Sequence, residues 1–64
     1  MGKYLVNGTE IVEAEGELEI IKARKIRYNE WYYSDHTRNY CDARVDSRGK
    51  YVAKTLITIK KLKS

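Results

Sequence analysis

The stretch that decides the fold is Tyr40–Leu62, with the sequence YCDARVDSRGKYVAKTLITIKKL. Apolar and polar residues alternate over its first seven positions, which is typical of a strand with one buried side. The apolar side carries Cys41, Ala43 and Val45, and the polar side carries Asp42, Arg44 and Asp46. Ser47–Lys50 contains a glycine and predicts a turn. We therefore expect an antiparallel hairpin with Cys41 packed inward as a small apolar residue.

The second arm of this hairpin is expected over Tyr51–Leu62. It is rich in β-branched and aromatic residues, which favour strands. Residues of one parity form its expected apolar side, namely Tyr51, Ala53, Thr55, Ile57 and Ile59. Between this hairpin and the segment before it lies a polar stretch, Ser34–Asn39, which predicts a loop.

The segment Glu17–Tyr33 contains neither glycine nor proline and supports two interpretations. Its first residues are helix formers with acids before bases, an order that suits the helix dipole. A helical stripe over this segment comprises Leu18, Ile21, Lys25, Tyr28 and Tyr32. The same segment also shows a period of two at several positions, as a strand does. Helix is the preferred interpretation, and strand is the alternative.

The N-terminal segment is expected to be extended over Tyr4–Val6 and Thr9–Ala14, on either side of Asn7-Gly8, a strong turn dipeptide. It forms either a tight hairpin or one long strand with a bulge at Gly8. The fold class predicted from the whole chain is α+β. Its order is β-α-β-β, a small antiparallel sheet with one helix on a face; the alternative is an all-β SH3-like barrel.

One resemblance rests on Glu10–Glu15, EIVEAE, followed by Glu17–Ala23, ELEIIKA. This run resembles the entry of small phage-encoded β-α-β-β proteins, in which a first strand leads into an acid-started helix and then a hairpin. Some anti-CRISPR inhibitors are similar in size and pattern. The resemblance covers about a third of the chain. It implies a binder or inhibitor encoded by a phage or mobile element, and it assigns no functional residue.

Length and composition limit the function. With 64 residues the chain forms a single domain, residues 1–64, whose core is thin. A domain this small does not favour a stand-alone enzyme, and we expect neither catalytic activity nor a cofactor. The only cysteine is Cys41, so no disulfide forms within the chain and a cytoplasmic location is expected. No apolar run approaches the roughly 18 residues of a membrane span, so no membrane contact is expected.

One polar cluster has residue types that could form a catalytic or metal site. It consists of Asp35, His36, Cys41 and Asp42. A nucleophilic cysteine needs a base within reach, and a metal ion needs three or four converging ligands. Because Asp35 and His36 are adjacent and Cys41 has the parity of an inward residue, we predict no catalytic residue and no metal site.

Charge is segregated along the chain, which carries a net charge of +4. Met1–Glu19 contains five acids and one base, whereas Ile20–Tyr28 contains four bases and no acid. Ser47–Ser64 contains six bases and no acid, among them Lys63 in the tail. Basic faces of this kind attract phosphate backbones or acidic protein surfaces.

The candidate binding residues combine this charge with the aromatic run Trp31–Tyr33. Three consecutive aromatic residues cannot all face one core, so at least one is expected to be exposed. Exposed tryptophan and tyrosine stack on bases or anchor protein interfaces. The predicted binding residues are Trp31, Tyr33, Arg38, Arg44, Arg48, Lys50, Lys54, Lys60 and Lys61.

These features lead to two functional hypotheses. The first is a small basic module that binds nucleic acid, DNA or RNA, through its backbone with weak sequence selectivity. The alternative is a protein-binding inhibitor that binds an acidic surface of a larger host enzyme and blocks that enzyme. A homodimer is a further expectation, since so thin a core gains from association.

Overall fold

The computed structural model describes residues 1–62, and its strands form one antiparallel sheet. The elements in chain order are β1 (Gly2–Val6), β2 (Glu10–Ala14), α1 (Glu17–Ala23), β3 (Glu30–Ser34), β4 (Thr37–Val45) and β5 (Tyr51–Lys61). The strand order is β2-β1-β5-β4-β3, so β2 and β3 are the edges and the sheet is open rather than a closed barrel. A small antiparallel sheet with one helix is thus confirmed, but it has five strands instead of the three in β-α-β-β.

The N-terminal segment forms a tight hairpin of β1 and β2 and not one long strand with a bulge at Gly8. Asn7 and Gly8 both have positive φ, at 53° and 75°, as the tightest hairpin turns require. Asn7 also joins this hairpin to β5: its N–H donates to the Thr58 carbonyl at 2.9 Å, and its Oδ1 accepts from the Thr58 N–H at 3.1 Å. The turn therefore helps to fix the position of β1 beside β5.

The helix is shorter than predicted, because it ends at Ala23 instead of continuing to Tyr33. Lys25 adopts a positive φ of 53°, and the Ile26 N–H reaches back to the Ile21 carbonyl at 3.1 Å. This left-handed residue reverses the chain direction, a task that glycine usually performs at helix ends. The alternative interpretation is correct for the second half of the segment, where Glu30–Ser34 is strand β3.

Asn29 determines where β3 begins. Its side chain pairs twice with the backbone of Ala43: Nδ2 donates to the carbonyl at 2.8 Å and Oδ1 accepts from the N–H at 2.8 Å. Its own N–H donates to the Cys41 carbonyl at 3.1 Å. An asparagine amide here imitates a strand neighbour, so β4 receives the incoming chain in a fixed register.

The predicted loop Ser34–Asn39 is wrong except at its centre. Only Asp35 and His36 form the turn, with φ of 51° and 60°, and Ser34 pairs with Thr37 on either side of it. Asparagine or aspartate followed by glycine is the usual signal for this two-residue turn, and His36 hides that signal. The remainder of the stretch, including Arg38, belongs to β4.

A bulge divides the C-terminal hairpin. Tyr40 pairs with Ile57 while Cys41 pairs with Thr55, so Leu56 is an extra residue on β5. Beyond the bulge the side chains of β5 change face. The predicted parity of Tyr51–Ile59 is therefore wrong: Thr55 shares a face with Cys41, and Ile57 shares the other with Tyr40. The predicted alternation of β4 is confirmed, as is the positive φ of Gly49 in the turn.

The core lies between α1 and one face of the sheet, here called the helix face. Its buried residues are Tyr4, Val6, Ala14, Ile20, Ile21, Tyr40, Ile57 and Ile59. The Tyr28 ring packs edge-on against Tyr40, with centroids 4.7 Å apart. Each fully buried isoleucine contributes roughly 1.5–3 kcal/mol. Cys41 is buried as predicted, but on the opposite face and outside this cluster.

Candidate functional site

The β3–β4 hairpin places two aromatic side chains beside the core. Trp31 pairs with Tyr40 and Tyr33 pairs with Arg38, and directly paired residues share a face. Because Tyr40 belongs to the core, Trp31 and Tyr33 both lie on the helix face. They are nevertheless 50% and 62% exposed, since they lie on the edge strand.

Tyr32 is equally exposed but lies on the opposite face, where it pairs with Asn39. The expectation that at least one of the three aromatic residues is exposed is confirmed for all of them. Trp31 is not part of the buried core, whose buried aromatic residues are Tyr4 and Tyr40.

Arg38 is the basic residue closest to these aromatics. Its guanidinium carbon lies 4.5 Å from the centre of the Trp31 ring, a cation–π distance. Its Nη1 lies 3.4 Å from Oε2 of Glu17, and the Tyr40 hydroxyl donates to Oε1 of the same carboxylate at 3.3 Å. Among the described residues, the buried Nε of Arg38 has no hydrogen-bond partner.

These contacts affect protonation. The pKa of Arg38 is raised by the Tyr40 hydroxyl and then by the Glu17 carboxylate, so its charge is secure at every physiological pH. Burial raises the pKa of Tyr40, and Glu17 adds to that effect while Arg38 opposes it. The result is a permanently charged guanidinium over a half-exposed indole ring.

A pocket of about 200 Å³ adjoins this arrangement. It is lined by Glu17, Tyr33, His36, Arg38, Ile59 and Lys61. Lys61 reaches the pocket because it continues the parity of Ile59 on the helix face. Two permanent cations and an imidazole around one carboxylate suit an anionic group more than a cation.

The distal part of the β4–β5 hairpin adds positive charge to the same side. Arg44 pairs with Val52 and Lys54 pairs with Asp42, so the two cations are diagonal neighbours on the helix face rather than direct partners. Asp42 offsets part of this charge. We call the set Trp31, Tyr33, Arg38, Arg44, Lys54 and Lys61 the aromatic–basic surface.

Three predicted residues lie outside this surface. Arg48 and Lys50 are in the turn at the tip of the hairpin, where their N–H groups both donate to Oδ1 of Asp46 at 2.9 Å. Lys60 pairs with Leu5 and Thr37 on the opposite face, so it does not join the other candidates. The tail residue Lys63 lies outside the described residues.

Sequence reasoning missed two residues of this site. Glu17 was predicted as an acid at the start of the helix and Tyr40 as a strand residue, and neither was a candidate binding residue. The charge pattern does contain a signal, because acids dominate Met1–Glu19 and bases follow them, and two ion pairs join these parts of the chain. Besides Glu17 with Arg38, Arg24 pairs with Glu10 at 2.7 Å.

The fold does not bring together the residues of the polar cluster, because Asp35 and His36 lie in a turn and Cys41 and Asp42 lie further along β4. Thr37, which follows His36, is four positions from Cys41 along an extended strand, a distance of about 13 Å. Within residues 1–62, no three potential ligands among His, Cys, Asp and Glu come together to hold a metal ion. None of the helices in that range is long and apolar enough to cross a membrane.

Comparison of the chain with protein-family models, with curated proteins and with solved structures gave no match.

Proposed function

We propose that this protein binds single-stranded nucleic acid, DNA or RNA, through the aromatic–basic surface. The observation that carries the proposal is the location of two exposed aromatic rings and four cations on one side of the sheet. Bases stack on aromatic rings, and Arg or Lys side chains neutralise phosphates. Stacking of this kind requires unpaired bases, which is why a single strand is preferred to a duplex.

The helix supports the same preference. It has seven residues, begins with Glu17 and Glu19, and buries Ile20 and Ile21 against the sheet. A short helix with an acidic start is poorly suited to entering the major groove of a duplex. Binding should therefore depend on the backbone and on stacking, with weak sequence selectivity.

Titration with an oligothymidine of about 15 nucleotides tests the proposal, with Trp31 fluorescence as the signal and a matched duplex for comparison. We expect quenching by the single strand and a steep loss of affinity with salt. In the variant Arg44→Gln/Lys54→Gln, the slope of log K against log salt should become shallower by about 1.4, because two phosphate contacts are lost.

A matched control is Lys3→Gln/Lys60→Gln, which removes the same charge from the opposite face. This control should keep the slope of the unmodified protein. Equal effects of the two double variants would show that net charge, and not the aromatic–basic surface, governs binding. Absence of binding to either nucleic acid at low salt would refute the proposal.

A second candidate function is supported by the same exposed aromatics. Tryptophan, tyrosine and arginine are the residues most enriched at the energetic centres of protein interfaces, and Trp31, Tyr33 and Arg38 lie together here. An inhibitor of a larger enzyme would use them to contact its target. Recovery of one protein partner from a nuclease-treated lysate, lost on Trp31→Ala, would favour this function.

A further inference from the structure

The outer edge of β3 is a row of backbone groups that no strand within residues 1–62 pairs with. In a two-residue hairpin, the pair beside the turn exchanges both hydrogen bonds, and here that pair is Ser34 and Thr37. Pairs alternate along the ladder between bonded and non-bonded. The N–H and C=O groups of Trp31 and Tyr33 therefore point away from β4, toward solvent.

This edge lacks the usual protection. Natural edge strands are blocked by charges, prolines, bulges or a covering element. In β3 the only charged residue is Glu30, and the Tyr51 hydroxyl donates to its Oε2 at 2.5 Å. Since Tyr51 lies on β5, two strands inward, this hydrogen bond draws the carboxylate back over the sheet.

We propose that β3 pairs antiparallel with β3 of a second copy of this chain, around a two-fold axis at Tyr32. In this register Trp31 of one copy lies opposite Tyr33 of the other, so the outward backbone groups on both residues meet. Tyr32 faces its own counterpart on the opposite face of the sheet. Glu30 lies opposite Ser34, so the two acids do not oppose each other.

This register is the one in which all five residues of β3, Glu30–Ser34, lie opposite a residue of the second β3. A shift of the axis to Trp31 or Tyr33 also brings outward-pointing groups together, but it leaves two residues of each β3 beyond the end of the other. An axis between two residues would place outward groups opposite inward ones, because the outward groups lie only on alternate residues. Two aromatic cross-strand pairs, Trp31 with Tyr33 twice, would add to the backbone hydrogen bonds. The dimer has one continuous ten-stranded sheet, with both aromatic–basic surfaces on one side.

The interface is a single strand pair, so the dimer is weak, with a dissociation constant of the order of tens of micromolar. Sedimentation equilibrium up to about 1 mM protein, without nucleic acid, measures it directly. The inference goes beyond the proposed function, since a chain that binds no nucleic acid can still dimerise. A monomer throughout this concentration range would overturn it.

The variant Tyr32→Lys tests the edge. It places two like charges directly opposite each other and should weaken the dimer by about tenfold. The matched control is Ile11→Lys on the other edge strand, which should leave the dimer unchanged. Circular dichroism establishes that both variants are folded. Equal weakening by the two substitutions, or weakening by Ile11→Lys alone, would overturn the proposal.

A cysteine pair tests the register. Across a non-bonded antiparallel pair the Cα atoms are about 4.5 Å apart, within the range a disulfide spans. Tyr32→Cys should therefore give a covalent dimer on mild oxidation, and Glu30→Cys should not, because it faces Ser34. Native Cys41 is buried and does not interfere. Cross-linking of Glu30→Cys in place of Tyr32→Cys would contradict the two-fold axis at Tyr32.

Discussion

The two edges of the sheet are built in opposite ways. The β2 edge carries Glu10 and Glu13, and Arg24 from the chain after α1 pairs with Glu10 at 2.7 Å. The β3 edge carries three consecutive aromatic residues, and its one acid is hydrogen-bonded toward the sheet interior. Charges on an edge strand discourage pairing with other chains, whereas an uncharged aromatic edge permits it.

This difference shows that core packing and exposed contact residues lie on different sides of this small domain. The side of the sheet near β2 is covered by α1 and contributes to stability through Ala14, Ile20 and Ile21. The side near β3 is left open and contributes little to the core. Exposed side chains there are free to contact other molecules. Both the proposed nucleic-acid binding and the proposed pairing of two chains use this side of the sheet.

The largest expected effect is on stability and comes from the side of the sheet that α1 covers. Ile20→Ala should lower the free energy of unfolding by about 2–4 kcal/mol, because Ile20 is buried between helix and sheet and its loss leaves a cavity. Urea denaturation measures the change. Leu18→Ala, in the same helix but 59% exposed, is the control and should stay within about 0.5 kcal/mol of the unmodified protein. Because alanine favours the helix, neither substitution weakens helix formation itself, and similar losses in both variants would contradict the assignment of this stability to the buried Ile20 side chain.

The next effect concerns the open side. Trp31→Ala should weaken single-strand binding by about 1–3 kcal/mol while leaving stability nearly unchanged, because the ring is exposed. Anisotropy of a dye-labelled oligonucleotide measures the affinity without relying on tryptophan. Tyr32→Ala is the matched control, with an equally exposed ring on the opposite face, and should bind normally when the protein is dilute. A stronger loss of affinity in Tyr32→Ala would mean that nucleic acid binds the opposite face of the sheet, and it would contradict the proposed surface.

A smaller effect appears at alkaline pH and is confined to the β3 side. Burial raises the pKa of Tyr40, so the fold favours the neutral phenol. The resulting stabilisation is complete below the ordinary tyrosine pKa of about 10 and is lost as pH rises through the higher value of the folded state. In Tyr40→Phe, which cannot ionise, stability should fall less steeply across this range. Parallel pH profiles for the two proteins would contradict this role.

The sequence predicted the regular parts of this fold from local patterns. Alternation over Tyr40–Val45 and the glycine turn at Gly49 identified the C-terminal hairpin, and Asn7-Gly8 identified a tight turn. The bulge at Leu56 could not be predicted, because it is defined by the pairing of β5 with β4 and nothing in the local pattern of β5 marks it. A register shift of this kind changes which residues share a face without changing the sequence pattern.

The boundary between helix and β3 was missed for a similar reason. Lys25 reverses the chain at a positive φ without a glycine, and Asn29 fixes the new strand through contacts with Ala43, fourteen residues away. Neither signal is visible in a local window. Trp31, Tyr33 and Arg38 were named as candidates from the sequence, but the contact of Arg38 with Glu17 depends on the position of α1 over the sheet.

The most direct test of the difference between the two edges is an amide NMR titration with a single-stranded oligonucleotide at low salt. We predict that resonances of Trp31, Tyr33 and Arg38 shift with added ligand, including the Trp31 indole N–H. Resonances of Ile11 and Glu13 on β2 should stay in place. Shifts confined to β2, or none at any ligand concentration, would contradict the assignment of binding to the β3 side.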